Sequence, residues 1–398
     1  MWRNPSRRLC RETFSKGEKI VKRGFTLAGA LLGAASLLAA CGTPTSSGST
    51  NTTAASGSGS SNNTAWLAKY QSAVTAAQAP VTWDGPTTKA VAPKNKFIVV
   101  VTCTEALEGC KLLTQGSVDA ANALGWRNSV INVQDPTGYD QAVQTAITEG
   151  ANGIVLVGVD QSLIPQGLAM AHQKHIPVVS IFQYNTPSPT GVNVEVSPSA
   201  TAEGKALADA MIANTKGNVN VLFLNDAEFS LPVHMLAAAK AELAACTQCK
   251  VTYASPINFT AAVVNTNLPG EVVSAVRSDP SINSIIVGFD PPATFVIPAL
   301  DQAGLKGKVK MYSQLGTTSA LSFIAQNNIM TADMGASNEW GGWAGMDEMV
   351  RLLNGQPIVN ENVPVLMLTA SNLPPSGKPF TGDYAGFQAK YKALWGLS

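Results

Sequence analysis

From Lys96 onward, short apolar runs alternate along the chain with amphipathic segments. Residues 97–101 (FIVVV) form an unbroken, mostly β-branched run, as expected of a strand covered on both faces. A polar loop follows, then a helix that reaches Leu124 and is stopped by Gly125. The order repeats: a strand over 130–133 and a helix over 139–148, a strand over 153–157 and a helix ending near Lys174, then a strand over 176–181. A Pro-rich stretch, 185–198, interrupts it. The alternation resumes with a helix over 201–214 and strands over 220–224, 251–255, 284–287 and 308–312, each followed by a helix. A strand over 330–334 leads into a helix over 338–354, and 363–368 is the last strand. Strands alternating with helices of this length predict βαβ units, parallel sheets and helices on both sheet faces. Trp340, Trp343, Met346, Met349 and Val350 recur at helical spacing, a pattern that favours core packing.

The first 95 residues follow other rules. A basic leader (Arg3, Arg7, Arg8, Arg11, Lys16, Lys19, Lys22, Arg23) precedes the apolar run 25–40, FTLAGALLGAASLLAA. That order predicts an export signal. Glycine and alanine dilute the run, and it is short for a bilayer span. The run ends in Leu38-Ala39-Ala40-Cys41, which resembles the bacterial lipobox; the resemblance implies that Cys41 is acylated and becomes the first residue of the mature chain. Anchorage then comes from acyl chains, each buried CH₂ contributing about 0.8 kcal/mol. Residues 41–64 are Ser, Thr, Gly and Asn with almost nothing to bury, so a flexible tether is expected. Trp66, Leu67, Tyr70 and Val74 then recur at helical spacing, and Pro80 ends that helix. An extended lead-in continues to Pro93.

Composition sharpens this picture. The formal charge of +1 is misleading, because residues 1–40 hold 8 of the 27 Lys+Arg and only 2 of the 26 Asp+Glu. The remainder carries 19 basic and 24 acidic groups, a net −5, which argues against a nucleic-acid partner. Of six cysteines, Cys10 lies in the leader and Cys41 at the lipid site. The other four form two close pairs, Cys103/Cys110 and Cys246/Cys249, which outside the cell read most simply as disulfides. Cys246-Thr-Gln-Cys249 follows a helix and precedes a strand, the reverse of a thioredoxin-like redox site. No G-x-S-x-G, H-E-x-x-H or phosphate-cradling Gly loop occurs; 104–109 reads Thr-Glu-Ala-Leu-Glu-Gly, whose glutamates repel phosphate. His172 and His175 fall on a helix away from the loop ends. The expectation is a non-enzymatic protein without cofactor or metal.

Several stretches in sequence order resemble the substrate-binding proteins of ABC importers, in the type I, ribose/galactose-binding-like class. They are 96–102 with 116–125 (GSVDAANALG), 149–157 (EGANGIVLV), 169–179 (AMAHQKHIPVV) and 299–304 (ALDQAG). The resemblance covers roughly 95–369. It implies an α/β fold of two Rossmann-like lobes with parallel sheets joined by a three-segment hinge. The chain would cross near 193–199, 334–337 and 356–364. Lobe one would then be 95–195 plus 335–357, and lobe two 196–334 plus 358–398, which includes the C-terminal tail. Residues 65–94 form the short helix and lead-in.

In open parallel sheets, ligands bind beyond the carboxyl ends of the strands. Reading those loops gives Thr104, Glu105 and Glu108, then Asp135, Asp160, and Phe182, Gln183 and Tyr184 from lobe one. Lobe two offers Asp226, Glu228, His234, Phe259, Phe289, Asp290 and Gln314, and the second crossing Asn338, Glu339 and Trp340. The sugar-binding relatives' Asp-Arg after the fourth strand is here Phe182-Gln183, and an arginine of lobe two corresponds to His234. Aromatics and amides thus replace bidentate charged groups, implying a ligand less polar than ribose or contacted differently. The expected function is a monomeric, lipid-anchored extracytoplasmic binder of a sugar or sugar-like solute, serving an ABC permease and ATPase. The alternatives are a sensory receptor of the same fold, a binder of an aromatic or nucleoside-like solute, and a tethered hydrolase. A repressor would need a helix-turn-helix where this chain has leader and tether.

Overall fold

The computed structural model describes residues 65–382 and 386–397. The export signal, the lipid site at Cys41 and the tether over 41–64 lie outside the described residues. Helix α1 (Ala65–Ala77) is followed by the lead-in, and then the alternation begins. Lobe one runs β1 (Phe97–Thr102), α2 (Glu108–Ala123), β2 (Arg127–Asn132), α3 (Tyr139–Thr148), β3 (Gly153–Val157), α4 (Pro165–Gln173), β4 (Val178–Ile181) and β5 (Val194–Val196). Its sheet is ordered β2-β1-β3-β4-β5, and every pairing is parallel. Residues 97–101 of β1 are buried, four of them fully, as the β-branched run requires.

Lobe two continues through α5 (Ala200–Thr215), β6 (Asn218–Asp226), α6 (Ser230–Ala245), β7 (Lys250–Tyr253), β8 (Ile257–Phe259), α7 (Leu268–Ser278), β9 (Ser284–Val287), α8 (Ala293–Gln302), β10 (Lys310–Gln314), α9 (Thr318–Ala325) and β11 (Met330–Ala336). The chain then enters α10 (Asn338–Leu353), returns to β12 (Val365–Leu368) and closes with α11 (Phe387–Leu394). The second sheet is ordered β12-β11-β10-β9-β6-β7, with β8 pairing the far end of β6. Among the described residues, only the β11–β12 pairing is antiparallel.

Helix α10 interrupts the second lobe and packs on the first. A Cβ on Gly345 would stand 2.7 Å from Ile181, and one on Gly342 would stand 2.4 Å from the backbone of Ser117. Glycine is therefore required at 342, where α10 crosses α2, and Gly345 lets α10 lie close on β4. The sheets are joined by the links β5–α5, β11–α10 and α10–β12.

Three elements have no counterpart in the sequence reading. β5 and β8 have three residues each, too few for a periodic signal. The C-terminal segment, expected with lobe two, carries α11 back onto lobe one's α10: Trp395 Nε1 donates to Asp347 (2.6 Å) and Trp340 Nε1 to the Tyr391 hydroxyl (3.1 Å). The lead-in spans the hinge side. α1 packs on α5, Asn362 donates to the Asp84 carbonyl, Arg351 to that of Thr88 and Trp126 to that of Pro93.

Both cysteine pairs are bonded, with Cα separations of 5.8 Å for Cys103–Cys110 and 5.3 Å for Cys246–Cys249. The first spans the loop between β1 and α2. No helix among the described residues is long and apolar enough to cross a membrane.

Candidate functional site

The carboxyl ends of both sheets face a cleft, and the lobes touch across it. The Glu108 carboxylate, at the start of α2, accepts from the Thr318 backbone N–H (2.9 Å) at the first turn of α9. Asp160, after β3, accepts from the Ser230 hydroxyl at the start of α6 (3.0 Å). Tyr184 and His234 bring their rings to 4.6 Å.

Between these contacts lies an inner chamber of about 60 Å³. Lobe one contributes Leu107, Leu113, Phe182 and the Cys103–Cys110 disulfide; lobe two contributes Phe229, Leu231, Pro232, Phe289, Pro291 and Leu315. Gln314 has the one polar side chain in this lining, among the described residues. Its Nε2 donates to the Gly288 carbonyl (2.9 Å), which aims Oε1 away; that oxygen is buried and has no protein partner. The rings continue behind the wall: Phe229 meets Phe289 edge-on at 5.4 Å, and Phe259 stacks behind Phe289 at 6.3 Å.

A second cavity of about 280 Å³ shares the Cys103, Leu107, Gly158 and Phe229 walls and forms a vestibule. Its lining mixes apolar walls (Leu107, Val133, Leu163, Phe229) with the polar side chains of Thr104, Gln134, Tyr139, Asp160, Ser162 and Glu228. Burial pushes the Asp160 carboxyl up, but hydrogen bonds from Ser162, Ser230 and Gln183 outweigh it, and the net shift is downward. Asp160 is therefore ionised at neutral pH. Burial, with the neighbouring Glu228 and Asp135, pushes the Tyr139 phenol up to about 12, so it remains a donor. Beneath the rim, burial and Glu228 push Asp226 up to about 7, against a hydrogen bond from the Glu228 N–H.

Three residues at or beside the chamber wall have strained backbone. Phe182 (φ 57°), Tyr184 (φ 70°) and Leu315 (φ 126°) all lie in the left-handed region. Such residues cost about 1–3 kcal/mol each and persist only where the surroundings impose them. The Glu195 carboxylate on β5 does so for the first two, accepting from the N–H groups of Gln183, Tyr184 and Asn185 at 2.9–3.1 Å.

The sequence-derived residues divide accordingly. Phe182, Phe289 and Gln314 line the chamber, and Thr104, Asp160 and Glu228 line the vestibule. Glu108, Tyr184 and His234 bridge the lobes. Gln183 is buried and bonds Asp160 (3.4 Å). Others lie elsewhere. The Glu105 side chain lines neither cavity. Asp135 caps its own turn through Thr137. Asp290 is fully buried, accepting from Ser313 and Thr317, and so holds two chamber loops together from behind. Asn338 donates to the Leu315 carbonyl (3.0 Å), and Glu339 is half-buried against α2. Trp340 points away from the cleft and stacks on Trp83 (5.2 Å) and Phe387 (5.1 Å) at the hinge side. Leu107, Leu113, Phe229, Leu231, Pro232, Pro291 and Leu315 were not singled out. They occupy the same post-strand loops and helix starts, but that reading favoured polar side chains.

Two parallel α/β lobes, three linking segments and a cleft between the lobes are the architecture of a two-lobed solute-binding protein. Residues 98–357 match the family model described as periplasmic binding protein domain, and the chain belongs to that family. No curated protein matches the chain. The fold is shared with many solved structures. An ABC transporter solute binding protein from Agrobacterium vitis with bound allitol aligns at TM-score 0.64 and 19% identity, covering 70% of this chain and 97% of that one. The Caulobacter myo-inositol binding protein bound to myo-inositol gives 0.63 and 18%, covering 72% and 97%. A Mycobacterium smegmatis ABC transporter solute binding protein with bound glycerol gives 0.62 and 18%, covering 72% and 99%.

Proposed function

We propose that this chain is the extracytoplasmic solute-binding lipoprotein of an ABC importer, tethered through Cys41, that holds a small solute between its lobes and presents it to a permease. The observation carrying this reading is the chamber at the carboxyl ends of both sheets, walled by both lobes. A solute touching both walls has more partners when the lobes meet than when they part, so it favours the closed arrangement. In this reading lobe one is 95–195 plus 335–357, lobe two 196–334 plus 358–382, and the tail over 387–397 belongs with lobe one.

A sugar or sugar-like solute is supported by family membership and by the polyols in the similar structures. The apolar lining favours the second reading, a solute less polar than a sugar. A thermal-shift screen over polyols, hexoses, nucleosides and aromatic compounds tests the proposal. A solute present at a hundred times its Kd adds about 2.7 kcal/mol of stability. The proposal stands if at least one small solute raises the melting temperature and reduces the radius of gyration in X-ray scattering. It fails if no class does either. Palmitate labelling that survives Cys41→Ser would sink the lipid anchor.

A further inference from the structure

The cleft is divided by chemistry as well as by shape. Its chamber is lined by apolar side chains apart from Gln314, whose Oε1 is buried and has no protein partner. Its vestibule holds two carboxylates, Asp160 and Glu228, and neither lining contains Lys, Arg or His. We propose that the cleft takes a small organic amine, its apolar body in the chamber and its ammonium group against Asp160 and Glu228. This rests on the solute-binding reading above and narrows its ligand.

Each alternative class meets a specific cost. A polyol in the chamber would have one side-chain acceptor and several hydroxyls facing carbon; each polar group buried without a partner costs about 1–3 kcal/mol. An anion would approach two carboxylates with no basic side chain in either lining. An ammonium ion has three donors and no acceptor, which suits acidic groups. Asp160 already accepts from Ser230 across the cleft, and Glu228 from the Ala261 N–H, so each carboxylate is held in place before a ligand arrives.

An aromatic body does not fit the chamber as it stands and enters only if the lobes part. The chamber, at about 60 Å³, is smaller than the roughly 150 Å³ apolar cavity that accommodates benzene. The polar cross-lobe contacts at Glu108 and Asp160 are only part-buried. Apolar burial then contributes on the order of 25 cal/mol per Å² of ligand and wall removed from water.

Isothermal titration of the full-length chain, purified in detergent, with four probes tests this: benzylamine, benzyl alcohol, benzoate and myo-inositol. Benzylamine should bind at least about tenfold more tightly than benzyl alcohol, with benzoate and myo-inositol weaker than both. Asp160→Asn and Glu228→Gln should each narrow the gap between amine and alcohol, and the double variant should close it. The inference is overturned if benzyl alcohol matches benzylamine, if benzoate or myo-inositol binds most tightly, or if the double variant leaves the gap intact. A polyol that binds one-to-one and draws the lobes together would end the amine assignment and leave the solute-binding reading standing. Failure of all four probes together with the wider panel would end both.

Discussion

On the cleft side, the lobes meet through a carboxylate on a helix start, a hydroxyl–carboxylate bond and one pair of rings. On the hinge side they are joined through three chain links and the lead-in, and an aromatic stack locks the lead-in and the C-terminal helix onto α10. Trp83, Trp340 and Phe387 lie face to face at 5.1–5.2 Å, and Trp343 and Trp395 stack at 5.3 Å. The Tyr391 hydroxyl accepts from Trp340 and donates to Glu361 (2.7 Å). The carboxylates differ in the same sense. Asp160 at the cleft is held low by its donors and is charged. On the hinge side, burial pushes Glu348 up to about 7, against a hydrogen bond from the Val359 N–H, and burial with Asp347 nearby holds Glu361 well above the usual carboxylate range. The cleft side keeps charge available and contacts breakable. The hinge side withdraws both from solvent, so the lobes have a fixed axis and a loose edge.

The sharpest test is to remove a ring from the axis. Trp340→Ala should cost about 3–5 kcal/mol in urea unfolding, since it empties a fully buried site. Tyr184→Ala at the loose edge should cost much less; equal losses would erase the distinction.

Opening the cleft-loop disulfide comes next. Cys103→Ala with Cys110→Ala frees a loop closed over a separation of 7 residues and should cost about 2–3 kcal/mol. Binding should also weaken, because Leu107 and Gly109 between them line the chamber. Unchanged affinity would show that the loop needs no staple.

A pH series probes both sides. Glu348 is raised in the fold, so its contribution is fully present below its unfolded value, near 4.5, and is lost as pH rises through about 7. Asp160 is lowered, so its contribution is lost only as pH falls through the acid range below about 4. Between pH 5.5 and 8.5 Glu348 should contribute a fall of about 1–2 kcal/mol, and Asp226 at the cleft, also raised to about 7, adds to it. Melting curves of Glu348→Gln should be flatter over that interval; an unaltered slope would place the titrating groups elsewhere.

The smallest effect is expected at the edge. Glu108→Gln loosens the contact with Thr318 and Ser319 and should cost under about 1 kcal/mol. X-ray scattering should nonetheless record a larger radius of gyration. A stability loss as large as that of Trp340→Ala would mean the edge bears as much as the axis.

The contrast also explains what was legible in the chain. Strands such as 97–101 and 153–157 are buried on both faces, so local pattern and final fold agree, and the α/β order could be read directly. The loops after strands were found for the same reason. Which side chain in each loop turns inward was not legible. Glu108 and Asp290 have the residue type of ligand contacts, yet one caps a helix of the opposite lobe and the other ties two loops together from beneath. Phe229, Leu231 and Leu315 resemble ordinary core residues, and only the approach of the second lobe makes them a wall. Trp340 follows the helical spacing of core residues, and it packs as one.

The packing of α1 on α5 has one more consequence. α1 rides on the second lobe, and the segment after it is gripped by the first through Arg351 and Trp126. Residues 78–93 thus form a fourth strap beside the three links, and any parting of the lobes has to flex it.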